Sequence, residues 1–248
     1  MKAGNQMQCM TSKNLLQAWE SCLNLKPTRR ALVLLRFAYP NLAEADVAQL
    51  SIGSRNALLL RLRKALFGTV FVSTCACHSC QQKLDLTFEA PLIELQDPIP
   101  NHSQSISIDG HRVDFRMPCS QDMLDYESNT SQLTTQKIFA KCIQTIIKDG
   151  ITIEVEQVSP KFISQFENQI AELDAQANIE FNVDCPSCGS KQSSRFDILS
   201  FLWAEIGSWA KLILQEVHVI ASRYGWSEES ILKMNPIKRN LYLQMVIR

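Results

Sequence analysis

The sequence predicts an α+β fold in which helical N- and C-terminal parts are joined by two β-hairpins, with an α+β insertion between the hairpins. Apolar residues recur with a helical period near 3.6 at both ends, and they alternate with a period of 2 around two Cys-x-x-Cys motifs. We expect a flexible N-terminus (1–12), a helical region (13–69), a first hairpin (70–89), the insertion (90–177), a second hairpin (178–197) and a C-terminal helical region (198–248).

The chain has no excess charge to attract phosphate or anionic lipid. Its 248 residues include 25 Lys and Arg and 25 Asp and Glu, and 46% hydrophobic residues suffice for a core. The N-terminal residues contain no continuous apolar run, and charged residues interrupt the apolar stretch 201–221. We therefore expect a soluble, non-secreted globular protein without a nucleic-acid or membrane partner.

Residues 13–71 are predicted to be helical. One helix ends before Pro40, and a second, short helix is expected over 41–50. A third is expected over 54–67, and Gly68 is a suitable C-terminal stop.

Strand-like alternation then surrounds each Cys-x-x-Cys motif. Alternating apolar residues flank Cys77 to Cys80, and alternation also leads into Cys185 to Cys188. The flanking apolar residues are Val70, Val72, Leu84, Leu86 and Phe88 in the first case and Ile179, Phe181 and Val183 in the second. Each motif is therefore predicted to form the turn of a hairpin.

The insertion between the motifs is too long for a bare loop. Asp109-Gly110, between alternating apolar residues, predicts another hairpin. The other elements expected here are a helix over 132–148, a strand over 151–155 and a helix over 160–175 that Ser159 caps and whose apolar stripe is Phe162, Phe166, Ile170 and Leu173.

The C-terminal region begins with the longest predicted helix. Its apolar residues follow one another at intervals of three or four over about six turns. They are Leu202, Ile206, Trp209, Ile213, Val217, Ile220 and Tyr224. Gly225 is placed to end this helix, and Ser227 and Asn235 are suitable caps for two shorter helices that follow.

Four cysteines in two Cys-x-x-Cys turns can complete the tetrahedral shell of thiolates that Zn²⁺ accepts. We therefore expect Cys77, Cys80, Cys185 and Cys188 to bind one metal ion, zinc, in a zinc-ribbon-like pair of hairpins. Four thiolates leave no coordination position for water, so the expected role is structural. The site would join segments that lie about 100 residues apart.

Two alternatives to this site remain open. The motifs could form redox-active dithiols or disulfides, although such motifs normally open a helix and here they follow strands. Cys75 could replace Cys77 as a ligand, although the Cys-x-x-Cys spacing favours Cys77. The first turn also lacks the glycine that Gly189 provides in the second.

The sequence contains no catalytic constellation. It has no phosphate loop, no nucleophile elbow and no dinucleotide fingerprint. Glu216 and His218, two residues apart on a helix, cannot face one metal ion. We therefore expect no enzyme activity and no small-molecule substrate.

The C-terminal sequence resembles the T4-type contractile phage tail baseplate hub subunit and hub assembly chaperone family, which also occurs in tail-like injection systems. The resemblance rests on 196–206, Trp209-Ala210, 216–218 and 224–232, on 53–63 with Phe67-Gly68, and on both Cys-x-x-Cys turns. Departures are Asn56 in place of an acidic residue, the first turn without proline or glycine, and Lys238-Arg239 in place of two arginines.

The resemblance implies a non-enzymatic assembly factor or minor structural protein of the baseplate, with hub or spike proteins as partners. It also implies a location in the bacterial or infected-host cytoplasm or in the tail baseplate itself. The expected partner-binding residues are Trp203, Glu205, Trp209, Glu216, His218, Tyr224 and Trp226. The aromatic members of this set could instead fill a helical core. A zinc-ribbon nucleic-acid-binding regulator is the alternative function, but it is disfavoured because no basic stripe surrounds either turn.

Overall fold

The computed structural model describes residues 7–89, 101–128 and 134–247. Within these ranges the protein combines helices with small antiparallel sheets, so the predicted α+β class is confirmed. The chain divides into two compact units, Met1–Ala43 with Leu199–Arg248, and Glu44–Ile198. Half of the predicted flexible N-terminus (1–6) and two parts of the predicted insertion (90–100 and 129–133) lie outside the described residues.

The elements are numbered in chain order. The helices are α1 (Ser12–Cys22), α2 (Pro27–Ala38), α3 (Glu44–Gln49), α4 (Ile52–Phe67), α5 (Ser120–Ser128), α6 (Thr135–Cys142), α7 (Pro160–Leu173), α8 (Ile198–Tyr224), α9 (Glu228–Leu232) and α10 (Pro236–Ile247). The strands are β1 (Val70–Ala76), β2 (Lys83–Glu89), β3 (Gln104–Ile108), β4 (His111–Phe115), β5 (Ile143–Lys148), β6 (Ile151–Ile153), β7 (Ile179–Asp184) and β8 (Lys191–Phe196).

The core of the first unit is built on α8. Its buried residues follow the predicted apolar stripe, except that Ala210 is buried where Trp209 is only half-buried; the buried set is Leu202, Ile206, Ala210, Ile213, Val217 and Ile220. Leu16 of α1 and Ile231 and Leu232 of α9 cluster with the part of this set from Ala210 onward. The helix ends at Gly225, which has a φ of 68° that glycine adopts readily. In the described parts of the chain, no helix is both long and apolar enough to span a membrane.

The second unit contains a four-stranded antiparallel sheet in the order β3-β4-β5-β6. The predicted Asp109-Gly110 turn joins β3 to β4, with φ values of 48° and 77°. Helix α7 packs against this sheet, and Phe115 and Phe166 meet edge-to-face with their ring centroids 5.3 Å apart. Ser159 caps α7 as predicted, because its side chain accepts a hydrogen bond from the backbone N–H of Phe162.

The prediction of one helix over 132–148 is wrong in its second half. Helix α6 ends at Cys142, and the chain continues as β5, which pairs with β4 and β6. The β-branched residues of β5 suit a strand, and Ile146 is buried in the sheet core. Leu173, predicted on the buried stripe of α7, is 53% exposed, and helix α5 was not predicted at all.

Helix α4 begins with two side-chain caps. The Ser51 hydroxyl accepts a hydrogen bond from the N–H of Ser54 at 3.1 Å, and a carboxylate oxygen of Asp174 accepts one from the N–H of Gly53 at 2.9 Å. A Cβ atom on Gly53 would overlap the Asp174 carboxylate. The close approach of Asp174 therefore requires glycine at position 53.

A polar cluster follows in the first turns of α4. Arg55 and Asn56 are both buried, and the amide oxygen of Asn56 accepts hydrogen bonds from the Arg55 guanidinium at 2.9 and 3.2 Å. The Asn56 amide nitrogen donates to the carbonyl of Gln176 at 3.0 Å. Neutral Asn56 thus occupies a hydrogen-bonded position where the family resemblance led us to expect an acidic residue.

Replacing Asp122 by Asn is expected to destabilise the second unit by about 2 to 3 kcal/mol. This loss is smaller than that caused by breaking a fully buried ion pair, because Arg116 is partly exposed. Both carboxylate oxygens of Asp122 accept hydrogen bonds from the Arg116 guanidinium at 2.7 Å, and one also accepts from the N–H of Cys119 at 2.9 Å. The side chain of Asp122 is 7% exposed and that of Arg116 is 27% exposed. Chemical denaturation at pH 7 measures the loss, and Asp125→Asn on the same helix is the control.

This effect is also expected to depend on pH. Burial acts to raise the pKa of Asp122, but hydrogen bonds from Arg116 and Cys119 outweigh it and hold the pKa below its usual value. The stabilisation is therefore complete above about pH 4, the usual pKa of an aspartate, and is lost as the pH falls through the lowered pKa of the folded state. A difference between wild type and variant that grows on acidification would contradict this assignment.

Candidate metal centre

Two separate two-stranded hairpins carry the Cys-x-x-Cys motifs. Strands β1 and β2 pair antiparallel from Val70 opposite Glu89 to Ala76 opposite Lys83. Strands β7 and β8 pair in the same way, from Ile179 opposite Phe196 to Asp184 opposite Lys191. Because each motif follows directly on the last paired residues, the ladder fixes where its two sulfur atoms project.

The two turns have the same backbone hydrogen bonds. In the first, the N–H of Cys77 donates to the carbonyl of Gln82, and the N–H of Gln81 donates to the carbonyl of Cys77, both at 2.9 Å. The second repeats them at 2.9 Å between Cys185 and Ser190 and between Gly189 and Cys185. Each turn therefore presents two cysteines in the same local geometry.

The first turn achieves this geometry without a glycine. Gln81, which corresponds to Gly189, has a φ of 59°, and Gly189 has a φ of 71°. A side chain in this left-handed region costs about 1 to 2 kcal/mol. The missing glycine therefore weakens the local preference for the turn but does not change its shape.

Single substitutions at Gln81 and at Gly189 are expected to change stability in opposite directions. Gly189→Ala should destabilise the protein by about 1 kcal/mol, because alanine resists a positive φ although nothing lies within 4 Å of the added methyl group. Gln81→Gly should stabilise it by less than about 1 kcal/mol, because greater freedom of the unfolded chain offsets part of the relieved strain. Thermal unfolding of the two variants beside wild type measures both effects, and a stabilising Gly189→Ala would contradict the equivalence of the turns.

The four sulfur atoms of Cys77, Cys80, Cys185 and Cys188 lie within 4.8 Å of one another. The shortest separations join the two hairpins: Cys77 Sγ lies 3.7 Å from Cys188 Sγ, and Cys80 Sγ lies 3.7 Å from Cys185 Sγ. A tetrahedral site with Zn–S bonds of about 2.3 Å has edges of about 3.8 Å. The sulfur positions therefore suit a tetrahedral metal ion, and this group of thiols can bind one.

Hydrogen bonds favour negative charge on part of this sulfur group. The Ser190 hydroxyl lies 3.2 Å from both Cys77 Sγ and Cys188 Sγ. Its hydrogen bond and one from the backbone of Cys80 are the main causes that lower the pKa of Cys77 to about 5, and the Ser190 hydroxyl also lowers the pKa of Cys188. A bound cation would interact favourably with negative charge on either of these sulfurs.

Cys80 differs from Cys188, the other exposed thiol of the four-sulfur group. A hydrogen bond from the Gln82 backbone acts to lower its pKa, but desolvation and hydrogen bonds with the three other thiols outweigh it and raise the pKa to about 12. The contact with three other thiols therefore favours the protonated form of Cys80. A metal ion would have to displace this proton, as metal binding to thiols generally does.

The group has one buried side and one exposed side. Cys77 and Cys185 are buried in a cluster with Leu84 and Val183, whereas Cys80 and Cys188 are exposed. Next to this cluster lie four phenylalanines whose ring centroids are 4.5 to 5.9 Å apart, namely Phe71, Phe88, Phe181 and Phe196. These apolar contacts pack the two hairpins against each other beside the sulfur atoms.

One glutamine also ties the hairpins together. The Gln192 side chain on β8 accepts a hydrogen bond from the N–H of His78 at 2.8 Å and donates one to the carbonyl of Ala76 at 3.1 Å. Sequence reasoning missed Gln192, and no motif marks it. Ser190 could have been recognised, because a hydroxyl two residues after Cys188 lies within reach of the sulfur atoms of the same turn.

Cys75 does not belong to the four-sulfur group. It is half-buried in β1, opposite Leu84, and its sulfur lies 3.9 Å from the Gln192 side-chain nitrogen. Within 7–89, 101–128 and 134–247, the four cysteines form the one group of three or more potential ligands close enough to hold a metal ion. Cys77, and not Cys75, is therefore the geometrically suited ligand.

The predicted partner-binding residues all lie in the first unit, and most contact other parts of it. The Arg30 guanidinium lies over the ring of half-buried Trp203, 4.6 Å from its centroid. Tyr224 and Trp226 stack at 4.8 Å, and Glu216 accepts a hydrogen bond from Arg239 at 2.6 Å. Glu205 and Trp209 are half-buried and His218 is exposed. Their role in binding a partner stays a prediction.

Residues 39–203 match the family described as T4 bacteriophage base plate protein. The matched residues include α4 and both Cys-x-x-Cys turns and end at Trp203, so the remaining C-terminal part of the resemblance lies outside the match. No curated protein and no solved structure matches the chain. Since the match covers more than half of the chain and agrees with the resemblance noted from the sequence, the chain belongs to the T4 bacteriophage base plate protein family.

Proposed function

We propose that the protein is a non-enzymatic assembly factor or minor structural protein of the baseplate hub in a contractile phage tail or tail-like injection system. It acts in the cytoplasm of the infected or producing cell or in the tail itself, and its partners are hub or spike proteins. The proposal is carried by one observation: a chain of the baseplate family brings four cysteines from two hairpins to within 4.8 Å of one another.

The metal in this proposal is Zn²⁺, and its role is structural. Four sulfur ligands suit zinc, which needs no redox chemistry to bind them. A four-thiolate shell has no position for water or a substrate, so the ion would hold β1–β2 and β7–β8 together without taking part in a reaction. The exposure of Cys80 and Cys188 gives the ion a path to the site from solvent.

The experiment that tests the function uses cells that produce the complete tail. A tagged copy of the protein is purified from hub intermediates and from finished particles, and its amount relative to hub proteins is measured by mass spectrometry. An assembly factor binds the intermediates and is absent from finished tails, whereas a minor component remains at a constant ratio. Absence from both fractions would overturn the proposal.

The same purified protein also tests the nucleic-acid alternative. We expect no retention on heparin at moderate salt, because the chain carries 25 cationic and 25 anionic residues. Retention that falls steeply with salt, together with binding to duplex DNA, would instead favour a nucleic-acid-binding regulator.

A further inference from the structure

Helix α10 carries an apolar face that is exposed in the described part of the chain. Ile237, Leu241 and Met245 are 74%, 51% and 64% exposed and follow one another at intervals of four residues. Residues four apart lie on one side of a helix, so the three side chains form a continuous stripe along a little over two turns. We call these three residues the α10 stripe.

The opposite side of α10 already packs on its own unit. Arg239 is buried and donates a hydrogen bond to Glu216 at 2.6 Å, and Tyr242 meets the Tyr224 and Trp226 rings at 5.6 and 4.9 Å. Leu243 packs against the same apolar cluster. These contacts hold α10 in place, and therefore the α10 stripe is presented on a fixed helix.

The charge beside the stripe is positive. Lys238 and Arg239 are the charged residues of 236–247, and Arg239 is neutralised by Glu216. Lys238 is exposed, and the structure gives it no ion-pair partner among residues 7–89, 101–128 and 134–247. The N-terminal end of the helix dipole adds positive potential near Ile237 and Lys238. A partner with carboxylates beside an apolar surface would complement this charge.

The size of the stripe limits the kind of complex it can form. A helix of 12 residues is about 18 Å long, so one face of it covers a few hundred Å². Stable interfaces bury about 800 Å² on each partner. The α10 stripe is therefore too small for a lasting dimer of this chain by itself, but it suits one helix that binds reversibly.

We propose that the α10 stripe docks a helix of a baseplate hub or spike protein that presents apolar residues three and four apart, flanked by Asp or Glu. This inference rests on the proposed function and names the surface through which that function acts. Two helices would meet with their apolar ridges interdigitated, and Lys238 would pair with a carboxylate of the partner. Tyr224 and Trp226, which contact Tyr242, would then support α10 without touching the partner.

The test measures binding of the full-length protein to the purified hub and spike proteins of the same tail. Leu241→Ser should weaken binding at least about tenfold, which is the effect of removing a central apolar contact. Lys238→Glu should weaken it at least about threefold and reverse its salt dependence. Leu173→Ser is the control for Leu241→Ser, because Leu173 is also exposed, at 53%. Lys161→Glu is the control for Lys238→Glu, because Lys161 is an exposed lysine. Both control residues lie in the second unit, whereas the α10 stripe lies in the first, so neither substitution should weaken binding.

A carbodiimide crosslink tests the charge of the partner directly, because this reagent joins a lysine amine to a carboxylate in contact with it. We expect a crosslink between Lys238 and an Asp or Glu in a helix of the partner. Binding that is unchanged by Leu241→Ser, or a wild-type dimer in light scattering that Leu241→Ser abolishes, would overturn this inference and leave the proposed function standing. Failure of wild type to bind any hub or spike protein would overturn both.

Discussion

Replacing Cys185 by Ser is expected to abolish metal binding and to unfold the hairpins of the second unit. A structural zinc site contributes on the order of 10 kcal/mol in small peptides, which is comparable to the whole stability of a typical domain. Wild type should therefore contain about one equivalent of zinc, and Cys185→Ser less than about one half. Elemental analysis of the freshly purified proteins and circular dichroism measure the two effects.

The nearby Cys75 supplies the matched control. Cys75→Ser changes a half-buried thiol two residues from Cys77 and outside the four-sulfur group, so it should keep the metal and unfold as wild type does. Loss of metal in Cys75→Ser with retention in Cys77→Ser would show that the ligand has been assigned to the wrong residue. A folded wild-type protein that lacks metal, and that is unaffected by a chelator, would contradict the zinc site altogether.

Replacing Gly53 by Ala is expected to destabilise the second unit by about 2 to 4 kcal/mol. The new methyl group would overlap the Asp174 carboxylate, and moving Asp174 away would break its hydrogen bond to the N–H of residue 53. Overpacking costs about 1 to 3 kcal/mol, and loss of a hydrogen bond costs about 1 kcal/mol more. Chemical denaturation followed by circular dichroism measures the change.

Gly207 offers a control of the same chemistry. A Cβ atom on Gly207 in α8 would approach only the Trp19 ring nitrogen, at 3.8 Å, which is an ordinary contact. Because alanine is the better helix former, Gly207→Ala should be neutral or stabilising by up to about 1 kcal/mol. Equal destabilisation by both substitutions would mean that the overlap with Asp174 is not the cause.

A double-mutant cycle isolates the clash at Gly53. Asp174→Ala alone should cost about 1 kcal/mol, because α4 loses one of its N-terminal caps. In that background Gly53→Ala should be far less harmful, since no carboxylate remains for the methyl group to meet. Additive effects of the two substitutions would contradict a direct contact between the two residues.

The four-cysteine group lies entirely within one compact unit. All four cysteines fall in Glu44–Ile198, although Cys80 and Cys185 are separated by about 100 residues of chain. The site therefore joins the beginning and the end of that unit across the insertion that carries the four-stranded sheet. The proposed zinc would therefore stabilise one compact unit by linking two of its distant segments.

Local patterns predicted the elements that depend on local chemistry. The alternating residues around each Cys-x-x-Cys motif, the Asp109-Gly110 turn and the Ser159 cap each act within a few residues, and the structure confirms them. The helix predicted over 132–148 failed because the isoleucines of β5 satisfy a helical period as well as a strand period. Pairing with β4, which lies earlier in the chain, and with β6, which follows, stabilises this segment as a strand.

The sequence by itself determined the fold class, the two hairpin turns, the four cysteines and the resemblance to the baseplate family, because each of these is written in residue types and short spacings. Only the tertiary structure decided that Cys77 and not Cys75 meets the other sulfurs, that Ser190 and Gln192 surround them, that Gly53 accommodates Asp174, and that α10 leaves an apolar stripe exposed. These features depend on which distant segments pack together. The local sequence of a strand or helix does not specify which distant segment will pack against it.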